Sequence, residues 1–242
     1  MVLALTLSVL TQAWADSLDV QCNTITLGNG YVYCAPFSGS SFFKRIRYDS
    51  LVPITFTDDQ NSRIIEFHVT PFTAYLYNGL TIDKYYLASG DKEPVYGSRD
   101  ISTFLVTPWE ELIIADRKKR ELIFLDFTYD VKYRIFDLNI KDICMNGDRL
   151  FVLTDKEVLI CDELCNEKMT VPIPASCDRI FIVDGKPAVY LTGRNRIHIF
   201  STAWQKKSMS HTIQDIASSD SMVYILGDDG FVLYNYPLSN FR

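Results

Sequence analysis

From residue 16 onward, the chain consists of short apolar runs separated by polar turns. Residues 110–126 contain an apolar run, a charged turn and a second apolar run that ends on an aspartate. Short apolar runs bounded by turn residues predict β-strands, and a pair of them joined by a short polar segment predicts a hairpin. Nearly the same pattern returns at 148–162, 187–200 and 221–235. The pattern therefore predicts an all-β fold made of repeated hairpins.

The hairpins recur with a period of about 40 residues, which is typical of propeller blades built from four short strands. The last repeat lacks a fourth strand, whereas residues 17–21 form a spare strand ahead of the first repeat. We therefore predict a single six-bladed β-propeller of four-stranded antiparallel blades, closed by this N-terminal strand. The markers of the repeat, in the middle of the first hairpin strand, are Tyr33, Leu76, Ile114, Val152, Tyr190 and Ile225.

Residues 1–15 have the features of an export signal. Residues 2–10 are an apolar stretch of the right length, and Ala13, Trp14 and Ala15 form an A-x-A cleavage site, although no Lys or Arg precedes the apolar run. No later stretch has the length of a transmembrane helix. We expect a signal peptide at 1–15, a propeller domain at 16–242 and a secreted or periplasmic protein with no membrane span.

Six cysteines also fit an oxidising compartment, in which disulfides persist. The local candidate pairs are Cys22 with Cys34 and Cys161 with Cys165, but spacing alone leaves other connectivities open. The remaining two cysteines are predicted on innermost strands, where apolar packing explains them at least as well as a bridge does.

The charge of the chain argues against a nucleic-acid partner. The formal net charge is −6 and the isoelectric point is about 5.1, whereas phosphate backbones are bound through clustered Lys and Arg. The one dense basic run, residues 117–120, lies in a predicted hairpin turn. Polar, solvated side chains are the norm in such turns.

Two of the hairpins carry a resemblance to a known family. IIADRKKRELIFLD at 113–126 and VYLTGRNRIHIFS at 189–201 resemble the strand–turn–strand core of NHL-like and TolB-like six-bladed propellers. In that core, a (V/A)-D-x-x-x-x-R-I-x-x-F-D motif occurs once per blade. The likeness covers half of the repeats well, and Gly193 stands where Asp116 does in the third repeat. The resemblance implies an architecture rather than a chemistry. Lactonase and hydrolase relatives hold a metal in the central channel, with Glu and Asn ligands that are not matched to positions here.

An aspartate recurs at the start of the predicted innermost strands, at Asp100, Asp142, Asp178 and Asp215. These positions approach one mouth of the central channel, and converging carboxylates suit a hard cation such as Ca²⁺. The alternative is that each aspartate accepts hydrogen bonds from turn backbone at strand entry. We predict no cofactor, and Ca²⁺ is the alternative.

The remaining candidates favour binding over catalysis. No histidine is paired with a serine nucleophile, and no nucleophile elbow or phosphate loop is present. Trp109 and Trp204 fall in predicted connections, where an exposed aromatic is a candidate anchor for a partner and packing between blades is the alternative.

We therefore predict a non-enzymatic, exported scaffold that binds a protein or peptide. The alternative function is a metal-dependent hydrolase or lactonase that uses the channel carboxylates and His68, with a metal-bound water as the nucleophile. Glycan binding by exposed Tyr and Trp also stays open.

Overall fold

The computed structural model describes residues 14–36, 41–47, 50–55, 63–162, 164–166 and 169–241. Within these ranges the regular structure is almost entirely β-strand, with one 3₁₀ helix at Leu238–Phe241. No helix in this part of the chain is both long and apolar enough to cross a membrane. The predicted signal peptide lies outside the described residues except for Trp14 and Ala15, which begin the first strand.

Four antiparallel sheets, numbered I to IV in chain order, contain four strands each, and every strand pairs with the next along the chain. Sheets I and II comprise β2 (Cys22–Gly28), β3 (Tyr31–Pro36), β4 (Ser41–Arg47), β5 (Ser50–Thr55), β6 (Glu66–Val69), β7 (Thr73–Tyr77), β8 (Thr81–Tyr86) and β9 (Lys92–Gly97). Sheets III and IV comprise β10 (Ile101–Val106), β11 (Leu112–Asp116), β12 (Glu121–Leu125), β13 (Val131–Ile135), β14 (Ile140–Asn146), β15 (Arg149–Thr154), β16 (Glu157–Asp162) and β17 (Met169–Pro172).

A fifth sheet, V, has seven strands and contains both ends of the chain. Its strands, in spatial order, are β1 (Trp14–Ser17), β23 (Val232–Pro237), β22 (Met222–Gly227), β21 (Trp204–Ser218), β20 (Arg194–Phe200), β19 (Lys186–Tyr190) and β18 (Arg179–Val183). The first half of β21 pairs mainly with β20, and its second half pairs with β22.

The protein is thus a β-propeller, but the predicted count of six blades is wrong, because the described residues form five sheets. The fifth and sixth predicted repeats merge through β21, which is 15 residues long. Its sequence, WQKKSMSHTIQDIAS, contains neither Gly nor Pro, the residues that most often interrupt a strand. One backbone therefore continues from the outer edge of one repeat to the inner edge of the next.

The N-terminal strand pairs with the last strand. This pairing was predicted, because the final repeat lacks a fourth strand in the sequence. It is Trp14–Ser17, slightly ahead of the predicted 17–21, and Trp14 lies opposite Asn235 in the antiparallel register. The next residues follow the same edge, since the amide of Leu18 donates to the carbonyl of Phe231 at 2.6 Å. The two ends of the chain are therefore joined in one sheet.

The first strand of each sheet lines a central channel. β2, β6, β10, β14 and β18 pack side by side in chain order, and the second half of β21 lies between β18 and β2. The second strands are buried on both faces, as in β7 and β11, because neighbouring sheets stack against them. The fourth strands are exposed edges that carry charge, as in β13.

Candidate functional sites in the channel and on one face

Six polar side chains, one from each innermost strand segment, form a ring near the mouth where these strands begin. β-Bulges directly precede four of the six positions, and a bulge turns the following side chain away from the regular alternation. The channel at this level is a cavity of about 340 Å³. The members of this polar ring are Thr24, Glu66, Thr103, Asp142, Arg179 and Asp215.

Asp215 joins the last innermost strand to the first. One carboxylate oxygen accepts hydrogen bonds from the hydroxyl of Thr24 at 2.6 Å and the amide of Ile25 at 2.9 Å. The other accepts from the amide of Ile216 at 2.9 Å and the hydroxyl of Tyr190 at 3.1 Å. Four donors on three strands therefore converge on one side chain.

Glu66 makes the corresponding contact between β6 and β10. Its carboxylate accepts from the hydroxyl of Thr103 at 2.8 Å and from the amide of Phe104 at 3.4 Å. His68 lines the channel next to it, with Nε2 2.8 Å from the carbonyl of Phe104 and 3.6 Å from Glu66 Oε1. His68 therefore faces the channel.

Asp142 makes the third contact of this kind, between β14 and β18. It accepts from the amides of Ile180 at 2.8 Å and of its neighbour Ile143 at 3.0 Å, and the hydroxyl oxygen of Thr103 lies 3.1 Å from its Oδ1. Arg179 lies farther away, with 3.8 Å between Nη1 and Oδ1. Each of the three ring carboxylates thus accepts an amide proton from the next innermost strand.

Burial and the neighbouring charges shift the pKa values of two ring members, Asp142 and Arg179. Burial raises the pKa of Asp142 to about 7, and the nearby Arg179 guanidinium only partly offsets this effect. Burial alone would lower the pKa of Arg179, but the carboxylates of Asp142 and Glu66 outweigh it and raise that pKa above its usual range. The carboxylates around Arg179 therefore favour the charged form of its guanidinium.

Two of the four predicted metal-ligand candidates, Asp142 and Asp215, belong to the ring, and the other two do not. Asp100 is exposed in a connection, and Asp178 accepts hydrogen bonds from the amide and hydroxyl of Thr192. Within the described ranges, no three His, Cys, Asp or Glu side chains are grouped so as to hold a metal ion. A cation at the ring would compete with the N–H and O–H donors that already occupy its carboxylates.

The two candidate tryptophans have different surroundings. Trp204 opens β21, donates from Nε1 to the carbonyl of Pro172 at 2.6 Å and packs against Phe200, with 5.2 Å between ring centroids. Trp109 lies in the β10–β11 connection with 76% of its surface exposed. Packing accounts for Trp204, whereas Trp109 is available to a partner.

Trp109 belongs to a group of exposed apolar side chains on one face of the propeller. In an antiparallel four-stranded meander, the first and third turns lie at the same end of the sheet. The group occurs at this end in three adjacent sheets, II, III and IV, and we call it the apolar face. Its members are Phe72, Trp109, Phe127, Val131, Leu164 and Met169.

The turn that presents Trp109 is fixed by hydrogen bonds. The hydroxyl of Thr107 accepts from the amide of Trp109, and Glu110 has a left-handed backbone with φ of 59°. The Glu110 carboxylate accepts from the hydroxyl of Thr73 at 3.2 Å and from the ammonium of Lys84 at 2.9 Å. Because the last two residues belong to sheet II, the turn is tied across the sheet boundary.

Phe127 is presented in a similar way by the β12–β13 turn. The Asp126 carboxylate accepts from the amides of Thr128 at 2.8 Å and Asp130 at 3.1 Å, an arrangement that closes the turn. The hydroxyl of Tyr129 lies 3.2 Å from that of Tyr75 in sheet II. Phe127 stays 69% exposed at the tip.

Leu164 lies in the corresponding connection of sheet IV. The Asp162 carboxylate accepts from the amides of Leu164 at 3.0 Å and Asn166 at 2.8 Å. The sulfur atoms of Cys161 and Cys165 are 3.0 Å apart at the base of this turn. The apolar face is therefore built from turns whose backbones are held in place.

A cleft of about 310 Å³ opens between sheets III and IV at the apolar face. Trp109 and Leu164 line it together with Met145, and Glu111 and Asp148 contribute carboxylates. Glu111 is paired with Lys132, with 2.7 Å between Oε1 and Nζ.

Four of the six ring members and most of the apolar face were not predicted from the sequence. Thr103 and Arg179 were overlooked because the positions of bulges and strand starts decide which side chain faces the channel. No local sequence pattern marks either of these positions. Phe127 and Leu164 each follow an aspartate that caps the turn, in DFTYD and DELCN. An apolar residue one or two positions after such an aspartate is a signal that identifies both.

The fold is shared with several solved structures. A streptogramin B lyase matches 93% of this chain and 87% of its own, with 11% identity and a TM-score of 0.66. A chain of a mitotic checkpoint complex matches 95% and 96%, with 11% identity and a TM-score of 0.65. The WD40 domain of Pan2 from Neurospora crassa matches 90% and 89%, with 11% identity and a TM-score of 0.61.

At this level of identity the likenesses establish a β-propeller fold and nothing finer. No protein-family model and no curated protein matches the sequence. The proteins named above include both a lyase and a WD40 domain, so the fold alone does not choose between catalysis and binding.

Proposed function

We propose that the chain is an exported β-propeller that binds a protein partner through its apolar face. The observation that carries the proposal is the confinement of Phe72, Trp109, Phe127 and Leu164 to one face of three adjacent sheets. Large apolar side chains grouped on a surface mark interaction sites, and aromatic anchors supply much of the binding energy. Because their turns are already held by hydrogen bonds, little conformational entropy is lost on binding.

The fold neighbours are compatible with this function. One similar chain is part of a mitotic checkpoint complex, and another is a WD40 domain.

The test is capture of a partner by the immobilised chain from an extract of the cells that produce it. The Trp109→Ala, Phe127→Ala double variant loses two aromatic anchors. We expect the amount of captured partner to fall about tenfold or more relative to the natural chain. The matched control is Leu80→Ala, Phe136→Ala, which removes two exposed apolar side chains from the opposite face. Quantitative mass spectrometry of the retained proteins gives the ratio.

Equal retention by the natural chain and the Trp109, Phe127 variant would contradict the proposal. Loss of the partner with the Leu80, Phe136 control would instead place binding on the opposite face. Thermal unfolding of both variants verifies that each is folded before capture.

Two cysteine pairs are candidate disulfides in an exported chain. The sulfur of Cys161 lies 3.0 Å from that of Cys165, and a hydrogen bond with Cys34 raises the pKa of the Cys22 thiol. We expect both pairs to be disulfides in protein recovered from its native compartment, with the other two cysteines reduced. Alkylation during lysis followed by peptide mapping checks this, and six alkylated cysteines would argue for a reducing compartment.

A further inference from the structure

We propose that the cleft between sheets III and IV receives a basic peptide segment that inserts one large apolar side chain between Trp109 and Leu164. This inference rests on the proposed binding function and specifies the chemistry of the partner at that same face. It is carried by the shape of the cleft, by the rigidity of its walls and by the charges around it.

The cleft is shaped for an apolar side chain. Trp109 and Leu164 stand on opposite walls, and Met145, Phe124 and Tyr133 contribute to the lining. The rings of Phe124 and Tyr133 are stacked, with 4.1 Å between centroids. Its volume of about 310 Å³ is at the small end for ligand pockets, which suits one side chain and its neighbours rather than a folded domain.

Neither wall needs to be assembled when the partner arrives. The Trp109 turn is anchored by the hydrogen bonds of Glu110 to sheet II, and the Leu164 turn is closed by Asp162. Both exposed apolar side chains are therefore carried by backbone that is hydrogen-bonded before binding. A pre-formed apolar slot favours a single inserted anchor, because only the peptide has to be ordered.

The turns around the cleft carry an excess of negative charge. Lys84 is bonded to Glu110 and Lys132 to Glu111, so these two cations are engaged within the protein. Asp148 is exposed on the wall of sheet IV, and no cation of the described ranges pairs with it. Among the described residues, the acidic side chains of these turns and their flanks are Glu110, Glu111, Asp126, Asp130, Asp148 and Asp162, and the cations near them are Lys84, Lys132 and Arg149.

This charge selects the partner. Hydrogen bonds from Thr128 lower the pKa of Asp126 and so favour its ionised form. A segment with Lys or Arg beside its apolar anchor is attracted to such a surface, and an acidic segment is repelled. The chain's net charge of −6 adds to the same preference.

A second copy of the chain is a poorer occupant. Its one dense basic run, residues 117–120, lies in the β11–β12 turn, on the face opposite to the cleft, and several of its cations are already engaged. Lys119 lies 3.4 Å from Asp116, and Arg120 donates to the carbonyl of Asp137 at 3.3 Å. A second copy would have to break these interactions before its cations could reach the cleft. Binding of a separate basic peptide leaves them unbroken.

The experiment measures binding of three labelled peptides to the full chain by fluorescence anisotropy. The first alternates Lys and Ser around a central Leu, the second has Glu in place of Lys, and the third has Gly in place of Leu. We expect the first to bind at least about tenfold more tightly than either of the others, and its affinity to fall with added salt. Trp109→Ala and Asp148→Lys are each expected to weaken it, whereas the opposite-face control Phe136→Ala is not.

Each other outcome overturns the inference in a recognisable way. The basic segment is rejected if the Lys and Glu peptides bind equally well or if the Lys peptide does not bind. In that case the proposed function still stands if the partner is captured through Trp109 and Phe127. Failure of partner capture rejects the proposed function itself. If sedimentation shows that the natural chain self-associates and that Trp109→Ala does not, the cleft binds a second copy of the chain.

Discussion

Replacing Asp215 with Ala is expected to lower the free energy of unfolding by about 3 to 5 kcal/mol. The substitution removes the acceptor for the amides of Ile25 and Ile216 and for the hydroxyls of Thr24 and Tyr190. A donor left unsatisfied in a buried site costs about 1–3 kcal/mol. The hydroxyls can turn toward water in the channel, so the two amides account for most of the loss.

The measurement is urea unfolding followed by circular dichroism, at a pH well above the range in which carboxylates titrate. Asp220→Ala is the matched control, because Asp220 is exposed in the turn that follows β21. We expect the control to change stability by less than about 0.5 kcal/mol. Similar stabilities for Asp215→Ala and the control would show that the Asp215 contacts do not hold the ring together.

The contacts of Asp215, Glu66 and Asp142 together explain how a propeller with a merged sheet stays closed. Each carboxylate reaches from one innermost strand to the amide and side chain of the next. Three junctions around the channel are therefore linked by hydrogen bonds as well as by apolar packing. Thr103 links sheet III to sheet II through Glu66, and its hydroxyl lies next to Asp142 of sheet IV, so the ring connects the three sheets that carry the apolar face.

Much of this fold could be predicted from the sequence, because a strand that packs on both sides has a clear pattern. The first apolar run of residues 110–126 was predicted as a strand, and β11 is Leu112–Asp116, buried throughout. The count of blades could not be predicted in the same way. The boundary inside β21 depends on whether the backbone turns at residues 208–213, and polar residues there fit either a turn or an exposed strand.

The candidate sites were only partly predictable for related reasons. Trp109 follows Pro108 in a short connection, so its exposure could be expected. Phe127 continues the apolar run of β12 in the sequence, and only the turn that Asp126 closes places it at the surface. The role of Arg179 depends on carboxylates from distant strands, which no local pattern relates to it.

Asp142 is expected to make the protein less stable as the pH rises from about 4 to about 7. Burial raises the pKa of its carboxyl from 3.8 to about 7 in the folded chain. Between these values the folded state binds a proton that the unfolded state has released, so folding is favoured by the proton. The contribution of Asp142 to the free energy of unfolding is complete below the pKa that its carboxyl has in the unfolded chain. It is lost as the pH rises through the pKa of the folded chain, by at most about 1.4 kcal/mol per pH unit.

The measurement compares unfolding free energies of the natural chain and Asp142→Asn at intervals between pH 4 and pH 8. The amide cannot ionise, so we expect the variant to lose this pH-dependent decline, whatever its absolute stability. That absolute stability should be lower, because a carboxamide has one acceptor oxygen for the amides of Ile143 and Ile180, where the carboxylate has two. The decline is therefore the decisive quantity, and parallel profiles for the two proteins would show that Asp142 is ionised throughout. An ionised Asp142 would mean that the Arg179 guanidinium and the ring donors together outweigh the cost of burying the carboxylate.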